Sequence, residues 1–233
     1  MANQVAVVRF PGSNCDLDAV QALRTLPNVK ADLVWHEDPG LGSYDAVVLP
    51  GGFSFGDYLR AGAIASKSPA LRSVVSVAES GRPVLGICNG FQVLIEAGLL
   101  PGALLRNTTL RFVCRWVGLR VENARTRFTL KTRKGSILHI PIAHNEGRFY
   151  ASSSELRRLS GEGRVVFRYC DEKGEASPAA NPTGTLDNIA GICNKEGNVV
   201  GLMPHPERAT ESILSPYGNA DGALIFQSML EGL

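Results

Sequence analysis

Short apolar runs alternate with amphipathic stretches over the first hundred residues, and few folds can accommodate that order. Residues 3–10, with Val5, Val7 and Val8, read as a strand buried on both faces. Pro11-Gly12-Ser13-Asn14 breaks it, and Asp16 or Asp18 can cap the helix that follows, where Ala19, Leu23 and Leu26 share one face. Residues 29–35 and 46–49 are the next strands. Ser68-Pro69 starts a second helix, with Leu71, Val74, Val75 and Ala78 on one face and Gly81 as its stop. Residues 83–87 form a short apolar strand, and a helix over 89–97 follows it directly. Successive strands joined through helices must run parallel, so the pattern predicts a doubly wound sheet.

The second half has a different rhythm. Residues 110–121, 127–130, 137–142 and 165–170 read as strands joined mostly by short turns. Residues 188–193 and 199–203 form a hairpin around Glu196-Gly197-Asn198, and residues 220–230 close the chain as a helix. No repeat, low-complexity tract or linker interrupts the 233 residues. The expectation is one α/β domain over 1–233, with a doubly wound, mixed sheet flanked by helices and extended by antiparallel strands.

Charge and cysteine usage narrow the function classes. With 24 basic and 22 acidic residues the net charge is +2, which gives no reason to expect a nucleic acid or anionic membrane partner. The N-terminal residues lack the layout of a signal peptide, and no apolar run reaches the length of a bilayer span. The cysteines at 15, 88, 114, 170 and 193 are odd in number and scattered, with no CxxC pair. They suggest neither a disulfide framework nor a zinc site, and fit the reducing cytosol.

Gly86-Ile87-Cys88-Asn89-Gly90 stands where the strand over 83–87 turns into a helix. That is the layout of a nucleophile elbow, with cysteine in the serine position. Such a turn holds its nucleophile in a strained conformation off the sheet edge, and the two glycines keep crowded neighbours free of Cβ atoms. The helix start at Asn89 aims free N–H groups at the sulfur and favours the thiolate. The competing reading is a small buried core cysteine.

A thiol nucleophile requires a base and a group that orients it. Of the four histidines, His36 reads as a solvated loop residue beside Glu37 and Asp38, and His139 as a strand residue that packs or faces solvent. His144 lies in the polar turn Ala143-His144-Asn145-Glu146-Gly147 and remains a site candidate. His205 is the best base. In Met203-Pro204-His205-Pro206-Glu207-Arg208, prolines fix the backbone on both sides, and the Glu207 carboxylate is close enough in sequence to set the imidazole tautomer. Alone, this is also an ordinary proline-rich turn.

Acyl transfer further requires oxyanion donors. The run Pro50-Gly51-Gly52-Phe53-Ser54-Phe55-Gly56-Asp57 follows the third strand, and its glycines let N–H groups point into a site at the same sheet edge. An ordinary glycine-rich connection is the alternative. Neither a P-loop nor a G-x-G-x-x-G fingerprint is present, so the chain is not expected to activate a substrate with ATP itself.

Taken together, residues 85–92 and 203–208 resemble the class I, triad-type glutamine amidotransferases. Residues 11–16 (PGSNCD), 50–65 (PGGFSFGDYLRAGAIA), 111–116 (RFVCRW) and 141–150 (PIAHNEGRFY) narrow the resemblance to the glutaminase subunits of phosphoribosylformylglycinamidine synthase. The resemblance implies Cys88 as nucleophile, His205 as base and Glu207 as its orienting acid. It implies an oxyanion hole at Gly52, Phe53 and Asn89, and glutamine contacts from Gly51, Gln92, His144 and Asn145, with Glu146 in the same turn. It implies no cofactor in this chain; ATP and magnesium would act on a separate synthetase large subunit, joined by a small third subunit. That partner would convert formylglycinamide ribonucleotide to formylglycinamidine ribonucleotide with channelled ammonia. Residues 181–187 depart from the family's usual loop, a difference that bears on subunit contacts. The alternatives are an amidotransferase of another pathway and a cysteine-peptidase-like relative; in the latter a histidine would follow soon after the cysteine, whereas none follows Cys88 before His139.

Overall fold

Val5, Ala6, Val7 and Val8 are all buried, as a strand with neighbours on both edges and helices on both faces requires. They form the middle of β1 (Asn3–Arg9) in a computed structural model that describes residues 2–233. The chain continues through α1 (Asp16–Arg24), β2 (Val29–Trp35), β3 (Ala46–Leu49), α2 (Pro69–Glu79), β4 (Val84–Ile87) and α3 (Asn89–Glu96). Then come β5 (Ala103–Leu105), β6 (Val113–Val121), β7 (Ile137–His144), β8 (Arg148–Tyr150), α4 (Ser153–Gly161), β9 (Val165–Cys170), β10 (Ile189–Cys193), β11 (Val199–Leu202) and α5 (Asp221–Met229).

Nine strands form one mixed sheet in the order β2-β1-β3-β4-β11-β10-β9-β6-β7. The pairs from β2 across to β11 are parallel, and those from β11 to β7 are antiparallel. The chain winds outward from β1 in one direction to β2 and in the other through β3 and β4. Right-handed crossovers therefore carry α1 and α2 to opposite faces. The pairing of β5 with β8 makes a separate two-stranded sheet.

Several expectations are corrected. Residues 127–130 form turns rather than a strand: Thr129 donates its N–H to the Thr126 carbonyl at 3.1 Å, and this local turn buries Phe128 without a ladder partner. Neither aspartate caps α1; its N-cap is Cys15, and the Asp16 carboxylate pairs with Arg9 instead. His36 is not a solvated loop residue. It is buried, 5.9 Å from the Phe10 ring, 4.6 Å from Trp35 and 5.2 Å from Phe55. β5, β8 and α4 have no counterpart among the elements expected from sequence. The signal for α4 is nonetheless present in Ser152-Ser153-Ser154-Glu155, a capping-box spacing, and the Ser152 hydroxyl accepts from the Glu155 N–H at 3.2 Å. In the departing loop, Asn181 Oδ1 accepts from the N–H groups of Thr183, Gly184 and Thr185, so the segment is ordered by one side chain. Among the described residues, no helix is long and apolar enough to cross a membrane.

Candidate active site

β1, β3, β4 and β11 run parallel, so the segments that follow them meet at one sheet edge. Cys15 comes after β1, residues 51–57 after β3, Cys88 after β4 and His205 shortly after β11. Cys88 stands at the strand-to-helix turn with φ 50° and ψ −106°, a region that costs a non-glycine residue about 1–3 kcal/mol. The flanking glycines make this turn possible. A Cβ on Gly86 would lie 2.7 Å from the Gly90 carbonyl, and one on Gly90 would run into the Leu49 carbonyl of β3.

Cys88, His205, Gly52, Phe53, Gln92, His144 and Asn145 line one cavity of about 360 Å³. The His205 imidazole is buried, and its Nδ1 lies 2.6 Å from Glu207 Oε1. An N–H at Nδ1 donates to the carboxylate and leaves Nε2 free to act as base. Nε2 has no hydrogen-bond partner. Burial pushes the His205 pKa down, but the charges of Glu207 and Cys88 outweigh it and hold the imidazole well above its ordinary value. Cys88 Sγ is near enough for its charge to act on the ring, yet its hydrogen-bond partner is the Ala143 carbonyl at 3.9 Å. Alignment of sulfur and Nε2 is a step for the substrate-bound state.

The oxyanion candidates divide. Phe53 donates its N–H to the Gly12 carbonyl at 2.9 Å, so that group is already committed. Among the described residues, the N–H groups of Gly52 and Asn89 donate to no protein acceptor, and the latter opens α3. Gly51 does not line the cavity. A Cβ there would meet His205 Cε1 at 2.7 Å, so the residue makes room for the base. Gln92 donates from Nε2 to the Glu146 carbonyl at 2.8 Å and accepts from Asn89 Nδ2 at 2.9 Å. Asn89 Oδ1 accepts from the Ser54 N–H at 3.1 Å, tying α3 to the glycine loop.

Three residues at the site are not legible in the sequence. Arg208 donates to Cys15 Sγ at 2.9 Å and lies 4.0 Å from Glu207 Oε1, placing a cation beside the buried carboxylate. Cys15, His205 and Glu207 bring donor atoms within 4.8 Å of one another, the spacing of a metal centre, but the Arg208 guanidinium already supplies positive charge there. Buried Asn107 braces the turn after β7, donating to the His144 carbonyl at 2.9 Å and accepting from the Gly147 N–H at 3.1 Å. A side chain bonded to a partner remote in sequence leaves no periodic signal.

His144 is buried, with no hydrogen-bond partner on either ring nitrogen. Burial and the nearby His205 charge hold its pKa down at about 3, so the ring is neutral at physiological pH. As pH falls below the ordinary value of 6.5, the unfolded chain takes up a proton that the folded chain refuses down to about 3. Stability is therefore lost over that interval. His144→Gln is expected to remove this loss, at ~1.4 kcal/mol per pH unit, in urea melts compared at pH 7 and pH 5.

A strained cysteine on an elbow, a carboxylate-oriented histidine and free N–H donors at the same edge define an amidotransferase of the glutaminase class. The chain belongs to the CobB/CobQ-like glutamine amidotransferase domain family, whose model matches residues 2–230. Several relatives similar to it over nearly its whole length share one name. The chain is 54% identical over 225 residues to the phosphoribosylformylglycinamidine synthase subunit PurQ of Aquifex aeolicus, covering 97% of this chain and 98% of that one. It is 54% identical over 228 residues to subunit PurQ of Methanosarcina acetivorans, covering 98% and 97%. Among solved structures it matches PurLQS from Thermotoga maritima with a TM-score of 0.85 and 43% identity, over 99% of this chain and 98% of that chain. The glutaminase domain of Trypanosoma brucei CTPS shares the fold, at a TM-score of 0.62 and 14% identity, over 98% of this chain and 93% of that one.

Proposed function

We propose that this chain is the glutaminase subunit of a phosphoribosylformylglycinamidine synthase, making ammonia for a separate ATP-dependent synthetase in purine biosynthesis. The observation that carries the reading is Cys88, held at φ 50° over a cavity it shares with the free Nε2 of His205. Full-length likeness to subunits named PurQ, and to one solved within PurLQS, supports the pathway and a complex with large and small partners.

His205 takes the Cys88 proton at Nε2, and Glu207 steadies the resulting imidazolium. The sulfur attacks the side-chain carbonyl carbon of glutamine. Gly52 and Asn89 donate N–H groups to the oxyanion. As the tetrahedral intermediate collapses, the C–N bond breaks and His205 returns its proton to the departing ammonia. Water, deprotonated by His205, then cleaves the glutamyl thioester and releases glutamate. Gln92, His144 and Asn145 hold the substrate. The chain acts as one domain in the cytoplasm, and ATP and magnesium serve the synthetase.

The test is reconstitution. Mixed with its synthetase and small partner, the chain is expected to co-purify and to support formylglycinamidine ribonucleotide formation from glutamine as well as from ammonia. Alone it is expected to hydrolyse glutamine slowly, because alignment of Cys88 with Nε2 is left to the assembled, substrate-bound state. Fast hydrolysis by the isolated chain would contradict the second expectation, and failure of glutamine to support synthesis would overturn the assignment.

A further inference from the structure

The Glu207 side chain is fully buried, and its hydrogen bonding is incomplete. Oε1 takes the His205 Nδ1 contact at 2.6 Å, while Oε2 has no partner among the described residues. A buried carboxylate with so few contacts requires a cation close by. His205 supplies one only while it holds the proton taken from Cys88. Once that proton has left with ammonia the imidazole is neutral. Among the described residues, the other cation within 4.0 Å of Glu207 is then Arg208.

What fixes Arg208 lies outside the triad. It follows Glu207 in the 3-10 turn Pro206–Ala209, and its side chain is 37% exposed, so burial alone does not dictate where the guanidinium rests. Nη2 donates to Cys15 Sγ at 2.9 Å, and Nε lies 3.9 Å from Asp18 Oδ2 and 4.0 Å from Glu207 Oε1. The sulfur is a fixed point. Cys15 is buried at the start of α1, its N–H donates to the Gly51 carbonyl at 3.2 Å, and its side chain caps nothing in the helix. A Cβ on Gly51 would stand 3.2 Å from that sulfur and 2.7 Å from His205 Cε1, so Cys15, Gly51 and the base pack together. The remaining charges pull the other way or are taken. Asp18 is half-exposed, Glu211 is exposed and lines an outer cavity with Arg208, and Asp16 is paired with Arg9. Resting on the glutaminase reading, we propose that Arg208 is a positioning residue for the triad and Cys15 its anchor. The sulfur holds the guanidinium against Glu207, so that the carboxylate stays balanced when His205 is neutral. Without the sulfur, Asp18 and Glu211 draw Arg208 toward solvent.

The experiment measures kcat/KM for glutamine in the assembled synthase against pH and takes the ratio of variant to parent at each pH. The pH dependence of the synthetase cancels in that ratio, and the fraction of folded enzyme changes its height but not its slope. Removing a fixed positive charge makes nearby groups hold their protons more tightly, so the acid limb moves to higher pH. For Arg208→Gln the ratio is expected to fall roughly tenfold further at about pH 6 than at about pH 8.5, a displacement of about one pH unit. Arg208→Lys keeps the charge and is expected to recover most of that slope. Cys15→Ala is expected to give a smaller slope of the same sign, and Cys15→Ser, which keeps an acceptor, a smaller one still. A ratio independent of pH in Arg208→Gln, the result of a packing role alone, would overturn the positioning role, and the same result in Cys15→Ala would overturn the anchor. Should Arg208→Gln fail to co-purify with the synthetase, the Cys15→Ala profile decides the proposal. If the parent complex fails to use glutamine through Cys88, the glutaminase reading itself falls, a result distinct from a flat ratio.

Discussion

Cys88→Ala is expected to lower glutamine-dependent synthesis by the assembled complex by roughly four orders of magnitude or more, while synthesis from added ammonia continues. The split follows from where the chemistry sits. No other thiol among the described residues is held as Cys88 is, on a turn at φ 50° between Gly86 and Gly90, with the start of α3 behind its sulfur. Cys15 lines the same cavity, but it is the N-cap of α1 and is held by Arg208, so it cannot stand in at the elbow. Removing one sulfur atom from a site this constrained leaves the backbone N–H groups in place with nothing to attack the amide. The ammonia assay, run on the same preparation, shows that the synthetase is intact, and co-purification of the variant with it shows that the variant still folds and docks. Glutamine-dependent turnover of Cys88→Ala near the parent rate would remove the basis for the glutaminase assignment.

Glu207→Gln is expected to cost roughly 10³- to 10⁴-fold in glutamine-dependent kcat, and His205→Asn at least as much. Glu207 accepts from His205 Nδ1 at 2.6 Å and supplies the main charge that raises the imidazole against the effect of burial. With glutamine at position 207, burial prevails and the imidazolium is no longer favoured. Alkylation of Cys88 by iodoacetamide near neutral pH should then slow. Stability follows the same linkage. The folded-state pKa of His205 lies above the unfolded value, so its stabilising contribution is complete below the unfolded value. It is lost as pH rises through the folded one. Glu207→Gln removes that contribution, so the variant's deficit is largest on the acid side and narrows as pH rises. An unchanged alkylation profile in Glu207→Gln or His205→Asn would count against the histidine as base.

Much of this protein is legible in the chain itself. The strands at 29–35, 46–49 and 165–170 stand where the sequence places them, and at 46–49 burial on both faces leaves an unbroken apolar stretch. The elbow is legible because the geometry it serves tolerates only glycine at two positions around one nucleophile. His205 and Glu207 are legible because they are two residues apart. Elements set by partners remote in sequence are not. Residues 127–130 are apolar enough for a strand, yet the Thr126–Thr129 turn claims their backbone. His36 stands beside two acidic residues in sequence and lies among three aromatic rings in space.

Local rules of period, turn geometry and spacing suffice to specify the parallel half of the sheet, the elbow at Cys88 and the identity of its base and acid. They do not say which N–H groups are free for an oxyanion. The folded chain does, since Phe53 is taken by Gly12 and Gly52 is not. Folding also gives Gly51 the task of clearing space for His205, puts Arg208 between Cys15 and Glu207, and turns Asp57 and Glu146 toward one cavity. Hydrogen bonds and charge interactions act over a few ångströms of space. Phe53 and Gly12, Gly51 and His205, and Arg208 and Cys15 all stand far apart along the chain, and the shared sheet edge is what brings each pair within that range.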